Sequence, residues 1–300
     1  MLTAPTARGC PTIEIAAGGA RRLAPSPPAA GTVGLAWLGQ AGFLMRSAGL
    51  TLLIDPYLSN FLAQKYRGRE FPHERLVPAP LDVADIERLD FVLCTHRHSD
   101  HMDPETLAAI AARHPGCGFI VPAAEVDHAR ALGLPAERLL PVDAGESVAP
   151  ADGLVVTAVP AAHETLEHDA AGHCRFLGYV VRVAGLSIYH SGDTVVFPEL
   201  SGILGRSTID CALLPVNGRD EFRATHGVPG NMTAREAIDL CRTVGIPLLV
   251  PHHFGMFAFN TASEADLDLL RRCTHPRTFV PDTASHLVLT PSPNAKEQKP

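Results

Sequence analysis

Three histidines and an aspartate fall within the six residues His96-Arg97-His98-Ser99-Asp100-His101. The chain has fifteen histidines, and a lone one is ordinarily a satisfied core or surface residue. This run differs because it follows Phe91-Val-Leu-Cys-Thr95, an apolar stretch of strand length, and precedes a helix start. Side chains alternate faces along a strand, so His96 and His98 project the same way. Asp100 and His101 fall where the chain turns and can face a second position nearby. Imidazole nitrogens and carboxylate oxygens at this density suit zinc or a similar first-row divalent ion. The chemistry to expect is two-metal hydrolysis, in which bound ions lower the pKa of water from about 15.7 toward about 7.

Four residues do not saturate two ions, so further ligands are expected at the ends of other strands. His163 follows Val155-Val-Thr-Ala-Val-Pro-Ala-Ala162, and Asp193 lies in Tyr189-His-Ser-Gly-Asp-Thr194, where Gly192 permits a tight turn. His252 and His253 both follow Leu248-Leu-Val-Pro251. Asp100 and Asp193 are the candidates for orienting the attacking water and passing on its proton, and His252 is a candidate for proton transfer. Asn217 and Arg219, on a glycine turn after a buried strand, are candidates to hold an oxyanion or phosphate of the substrate. Gln40 sits in a glycine-flanked turn and is a third substrate-side candidate. His190 reads equally as a hydrogen-bond donor behind a ligand or as a strand end. Tyr66, Arg67 and Arg69 form a small basic patch whose more ordinary reading is a solvated loop.

These residues need a frame. Val33-Gly-Leu-Ala-Trp-Leu38, Phe43-Leu-Met-Arg46 and Thr51-Leu-Leu-Ile54 read as a strand meander with glycine turns. Asp103-Pro104-Glu105 opens a helix, with Asp as cap, Pro in the first turn and Glu favourable to the dipole. A strand at Gly118–Val121 and a short helix near 124–132 follow. The second half has the same character without repeating the sequence. Strands are expected at Leu154–Val159, Leu177–Val183, Leu186–Tyr189, Cys211–Pro215 and Leu248–Val250. Helices are expected from the capping box Thr233/Glu236 through Cys241, and from Ser263 to Arg272. Blocks of strands alternating with helices predict an α/β (α+β) fold of two packed sheets with helices outside. Residues 1–30, rich in Pro, Ala and Gly, read as a flexible leader, and residues 293–300 as a frayed tail.

Bulk properties narrow the function classes. The formal net charge is −7 and Lys and Arg do not cluster, so a nucleic-acid partner is not expected. No apolar stretch reaches the roughly 18 residues that a membrane span needs. Arg21-Arg22 precedes a proline-broken stretch rather than an apolar signal core. Seven cysteines, odd in number and without a C-x-x-C pair, argue against a disulfide framework and for a reducing compartment. A cytoplasmic location is the expectation.

The run His-x-His-x-Asp-His, followed by a lone His, a Gly-Asp and a final His, resembles the metallo-β-lactamase superfamily. The resemblance spans roughly residues 33 to 290. It implies a four-layer αββα sandwich over residues 31–292 with the metal site at one edge of the sheets. Trp37-Leu-Gly-Gln-Ala-Gly-Phe43, Ile54-Asp-Pro-Tyr57, Tyr189-His-Ser-Gly-Asp-Thr194, Leu214-Pro-Val-Asn-Gly218 and His252-His-Phe-Gly-Met-Phe257 look closer to the L-ascorbate-6-phosphate lactonase-like branch. It further implies that His96, His98 and His163 hold one ion and that Asp100, His101 and His253 hold the other, with Asp193 bridging. The Pro-x-His-aromatic pattern selects His253 over His252. Two divalent ions, Zn or Mn, are implied, since the branch includes manganese-dependent members. A homo-oligomer is compatible with it.

The expected activity is hydrolysis of an ester, a lactone such as a sugar-phosphate lactone, or a phosphoester, on a small and anionic substrate. One rival is a phosphodiesterase acting on nucleotide or phospholipid-type substrates. Another, of a different class, is a catalytically silent metal-binding protein on the same fold.

Overall fold

In the computed structural model, which describes residues 9–293, the strand-forming runs assemble into two sheets. The first part of the chain supplies β1 (Thr12–Ala17), β2 (Val33–Gly39), β3 (Gly42–Arg46), β4 (Thr51–Ile54), β5 (Phe91–Leu93), β6 (Gly118–Pro122) and β7 (Leu139–Val142). The remainder supplies β8 (Ser147–Ala151), β9 (Leu154–Pro160), β10 (Leu177–Val183), β11 (Leu186–His190), β12 (Cys211–Pro215), β13 (Leu248–His252), β14 (Arg277–Thr278) and β15 (Ser285–Thr290). One sheet runs β1-β15-β2-β3-β4-β5-β6-β7 and the other β14-β13-β12-β11-β10-β9-β8. In each, an antiparallel meander gives way to parallel strands, from β4 through β7 and from β11 through β14.

The helices are α1 (Gly19–Leu23), α2 (Phe61–Lys65), α3 (Pro104–Arg113), α4 (Val126–Ala131), α5 (Leu200–Leu204), α6 (Glu221–Thr225), α7 (Ala234–Val244) and α8 (Glu264–Arg272). Burial shows how they layer. Leu35, Trp37 and Phe43 face Val156, Tyr179 and Val181 between the sheets. On the other side of the first sheet, Ala36, Leu38 and Val92 pack with Leu107 and Ile110 of α3 and Ala129 of α4. β2 is thus buried on both faces, which is why its sequence is apolar throughout rather than alternating. Leu204 of α5, Ile238 of α7 and Leu270 of α8 cover the second sheet. The result is the four-layer αββα sandwich, with both expected capped helices in place. Asp103 accepts from the Glu105 N–H to start α3, and Thr233 and Glu236 cap each other's backbone to start α7.

The leader departs from expectation. Thr12–Ala17 forms β1, antiparallel to β15 with Thr12 opposite Thr290, and α1 buries Ala20 and Leu23. Leu23 lies so close to Gly34 that a Cβ there would approach its Cδ1 to 2.4 Å. β1 is an edge strand whose pairing partner is more than 250 residues away, so local periodicity carries little trace of it. Residues 1–8 of the expected leader, and 294–300 of the expected tail, lie outside the described residues. Among the described residues no helix is long and apolar enough to cross a membrane.

Candidate metal centre

Four strand ends deliver one cluster. His96 to His101 occupy the loop after β5, His163 follows β9, Asp193 follows β11, and His253 follows β13. β9 and β11 run in the same direction because both are antiparallel to β10, and β13 continues parallel through β12. All four segments therefore emerge from the carboxyl edge of their strands, where open α/β sheets leave a crevice. Two backbone turns aim the last two side chains. Gly192 adopts φ 61° beside Asp193, and a Cβ there would meet the Leu177 carbonyl oxygen at 2.7 Å. His253 itself takes φ 59°, which breaks strand alternation after His252.

The Asp193 carboxylate is the hub. Its Oδ2 lies 3.2 Å from His253 Nε2, 3.4 Å from His101 Nε2 and 3.7 Å from His163 Nε2. Asp100 Oδ2 lies 3.7 Å from both His101 Nε2 and His253 Nε2. His96 Nε2 and His98 Nδ1 approach to 3.0 Å. Two triads, His96/His101/Asp193 and Asp100/His101/His253, present donor atoms that all lie within 4.8 Å of one another. The second triad coincides with the ligand group expected for one ion. The first expected group is looser: His96 and His98 meet directly, and His163 joins through Asp193.

The donor set fits a divalent cation. His101 Nε2, which faces Asp193 Oδ2 across 3.4 Å, and Asp193 Oδ1 are buried without a hydrogen-bond partner. Burial pushes the Asp193 carboxyl up, yet the charges of His253 and His101 outweigh it and hold Asp193 well below the usual carboxylate range. Asp100 shifts downward by the same balance, with His101 and then His253 overcoming burial. At His101, burial opposes protonation, but Asp193, Asp55 and Asp100 raise its pKa well above that of a free imidazole. The clustered carboxylates demand positive charge, and a divalent ion satisfies that demand with His101 neutral. Burial dominates at His96, His98 and His163 and lowers their pKa values, at His98 to about 4. These rings keep free lone pairs at neutral pH, as metal ligation requires.

Gln40 joins the cluster from the β2–β3 turn. Its Nε2 donates to Asp100 Oδ2 at 2.9 Å and lies 3.1 Å from His253 Nε2, and its backbone carbonyl oxygen accepts the His253 backbone N–H at 2.8 Å. Gln40 is fully buried, so its contacts are with ligands rather than with the open cavity. Asp55 carries no expectation from the sequence beyond its place in a resembling segment, yet it sits directly behind His101. Its Oδ2 is 2.7 Å from His101 Nδ1, and Thr95 donates to it through both backbone N–H and hydroxyl. Phe176 packs against His96, His98 and His163 with ring centroids 5.0, 5.7 and 5.4 Å away, an apolar backing that no sequence motif signals.

Three other expected participants lie elsewhere. His252 ends β13 pointing away from the cluster, fully buried, with its ring stacked on His190 at 4.8 Å and both nitrogens unpartnered. It has no access to the cavity and no path for a substrate proton. Burial also lowers its pKa well below that of a free imidazole. Arg219 is held by Glu236 in a two-pronged ion pair at 2.6 and 2.7 Å, and Asn217 bonds Asn260 and Asn231. Neither lines the cavity above the cluster. These partners occupy the guanidinium and amide groups that a substrate would need. His190 is a buried neutral ring: Nε2 meets the Ala41 carbonyl oxygen at 2.8 Å, and Nδ1 accepts the Gly192 N–H at 3.0 Å.

A cavity of about 920 Å³ opens over Asp100, His163, Asp193 and His253. Its walls come from the segment after α2, the 96–101 loop, α4, residues 226–229 and residues 259–260. Tyr66 and Arg69 of the small basic patch line it, so that patch is not merely solvated; Arg67 points elsewhere.

Comparison with known proteins yields a consistent set of relatives. A family model described as a beta-lactamase superfamily domain matches residues 51–254. The chain is 30% identical over 222 residues to a UPF0173 metal-dependent hydrolase of Pyrobaculum aerophilum, covering 74% of this chain and 84% of the relative. Among solved structures, the metallo hydrolase Igni18 of Ignicoccus hospitalis superposes with a TM-score of 0.64 at 21% identity, over 86% of this chain and 98% of that one. An isothiocyanate hydrolase from Delia radicum gut bacteria superposes with a TM-score of 0.68 at 20% identity, over 84% and 97%. At such identities the two structures speak to the fold alone.

Proposed function

The chain belongs to the beta-lactamase superfamily and is related to its metal-dependent hydrolases, and from that premise we propose that it hydrolyses an ester, lactone or phosphoester at a centre of two divalent ions, zinc or manganese. The observation that carries this reading is the position of Asp193 Oδ2, within 3.7 Å of the Nε2 atoms of His101, His163 and His253. A carboxylate within reach of ligands of both expected groups supports a bridging role for Asp193. His96, His98 and His163 would hold one ion, and Asp100, His101 and His253 the other. Ions bound there supply Lewis acidity, which lowers the pKa of water and polarises the oxygen under attack.

The protein's own groups do the positioning. Asp100 and Asp193 are held as carboxylates, so each accepts a hydrogen bond from the attacking water and fixes its direction. Asp100, 18% exposed, is the more open of the two; it would take the proton that the attacking water gives up and pass that proton to the leaving group. Gln40 restrains Asp100 and His253 together. The sugar-phosphate lactone suggested by the resembling branch is one member of this substrate class, and phosphodiesters are another.

The test is metal content measured beside a hydrolysis screen over lactones, phosphodiesters and β-lactams. About two ions per chain with turnover on one class is the expected result; stoichiometric metal with no turnover on any would favour the silent metal-binding reading. Asp193→Ala should lower bound metal and abolish turnover. Full activity in a metal-loaded Asp193→Ala protein would overturn the bridging assignment.

A further inference from the structure

The cavity has two chemically distinct ends joined by one ring. At one end, Lys65 Nζ lies 3.4 Å from Ser99 Oγ, beside the ligand loop, and 5.3 Å from the Tyr66 ring centroid. Arg97 projects from that same loop. Lys65, Arg97 and His128 all line this cavity. Neither Lys65 nor Arg97 forms an ion pair among the described residues, and both are exposed. Two unpaired cations beside a recessed centre make an anion-attracting region.

The other end is dominated by rings, with Arg69 and Glu70 also on its wall and Glu70 3.8 Å from His226. Tyr66 stacks on His73 at 4.1 Å, His73 meets Phe259 at 4.8 Å, and Phe259 meets Phe71 at 5.2 Å. Phe71 continues outward to Phe222, which is 59% exposed. Tyr66, Phe71, His73 and Phe259 are each half-buried and line the cavity, an aromatic surface on which a further ring can pack. Neutral hydrogen-bonding side chains are few. Apart from Tyr66, only Ser99 and Asn260 line the cavity with a hydroxyl or amide, and the Asn260 oxygen already accepts from Asn217 and Arg223.

We propose that the cavity selects substrates carrying a fixed negative charge on an aromatic body, with the charge held between Lys65 and Arg97 and the ring packed on Tyr66, Phe71 and Phe259. This rests on the hydrolase reading for the step after binding, and names its substrate class as anionic aryl esters or lactones. At about 920 Å³ the cavity is within the size range of pockets that enclose molecules of this kind.

The test is calorimetric binding to the metal-loaded full chain, using three probes. Naphthalene-2-sulfonate carries both features and is a poor metal ligand; methanesulfonate lacks the ring, and 2-methoxynaphthalene lacks the charge. The two-feature probe should bind about tenfold or more tighter than either single-feature probe. The double variant Lys65→Ala/Arg97→Ala should weaken naphthalene-2-sulfonate by about tenfold and leave 2-methoxynaphthalene unchanged, while Phe259→Ala should weaken both. Lys65 and Arg97 are exposed, so their removal leaves the fold intact, as a circular dichroism spectrum will check. Equal binding of charged and neutral probes, or no response to the double variant, overturns the proposal. Selective binding without turnover of any ester, lactone or phosphoester would instead sink the hydrolase reading and leave the binding preference standing. Turnover of neutral lactones without any anion preference would do the reverse.

Discussion

Asp55 Oδ2 lies 2.7 Å from His101 Nδ1, and neither side chain has any exposure to solvent. Asp55 therefore directs Nε2 of that ring toward the cluster and raises its basicity, the arrangement in which a carboxylate behind a ligating histidine strengthens metal binding. Asp55→Asn preserves shape and removes the charge. It should weaken metal affinity by about 10- to 100-fold, measured by competition with a chromophoric chelator. An unchanged affinity would show that Asp55 serves only to bond Thr95.

Adjacent histidines at the end of β13 should behave oppositely. His252→Phe replaces a ring with two unpartnered nitrogens by an apolar ring of similar size, still able to stack on His190. Metal stoichiometry should be unchanged and turnover should stay within about threefold, because volume-conserving core changes are tolerated. His253→Ala should lose metal outright. A His252→Phe protein with full metal and no turnover would place His252 back in the proton path.

The Arg219–Glu236 pair predicts a pH signature. The Arg219 guanidinium, against burial and with help from the Thr233 N–H, lowers the Glu236 carboxyl from 4.5 to about 2. A depressed carboxyl stabilises the fold above its unfolded pKa, and that contribution is lost as pH falls from 4.5 through about 2. The pair is about one third exposed, so screening limits it to on the order of 1 kcal/mol. Urea unfolding should show wild type ahead of Glu236→Gln at pH 7, with the gap narrowing at pH 3. A gap that stays constant across this range would contradict the assignment.

Gly192→Ala tests the turn that aims Asp193. The new methyl group would meet backbone at 2.7 Å and Thr95 Cβ at 2.8 Å, at a φ of 61°. Destabilisation of about 1–3 kcal/mol is expected, with reduced metal content, by thermal unfolding and metal analysis. A protein of native stability and metal content would mean the turn relaxes freely.

The six-residue run was legible because its chemistry is concentrated and local, and the strands before it announce themselves by apolar runs. The structure brings His163, Asp193 and His253 to that run from three further strand ends, each of which the sequence marks only by position. Asp55 was not legible, since its partner is 46 residues away and one carboxylate after a strand resembles any other. His252 and His253 differ only in which way they face, and the positive φ at His253 decides that. Arg219 reads as a free cation until the capping box 17 residues later claims it. The same holds for β1, whose partner strand comes at the far end of the described chain.

That last pairing sets an order of events during synthesis. β15 lies between β1 and β2, so β1 has nothing to join until residues 285–290 have left the ribosome. At about 5–20 residues per second, β1 waits for roughly tens of seconds as a nascent strand. Over most of that interval His253 is also unmade, so ion capture waits for the end of β13 and closure of the first sheet waits for β15.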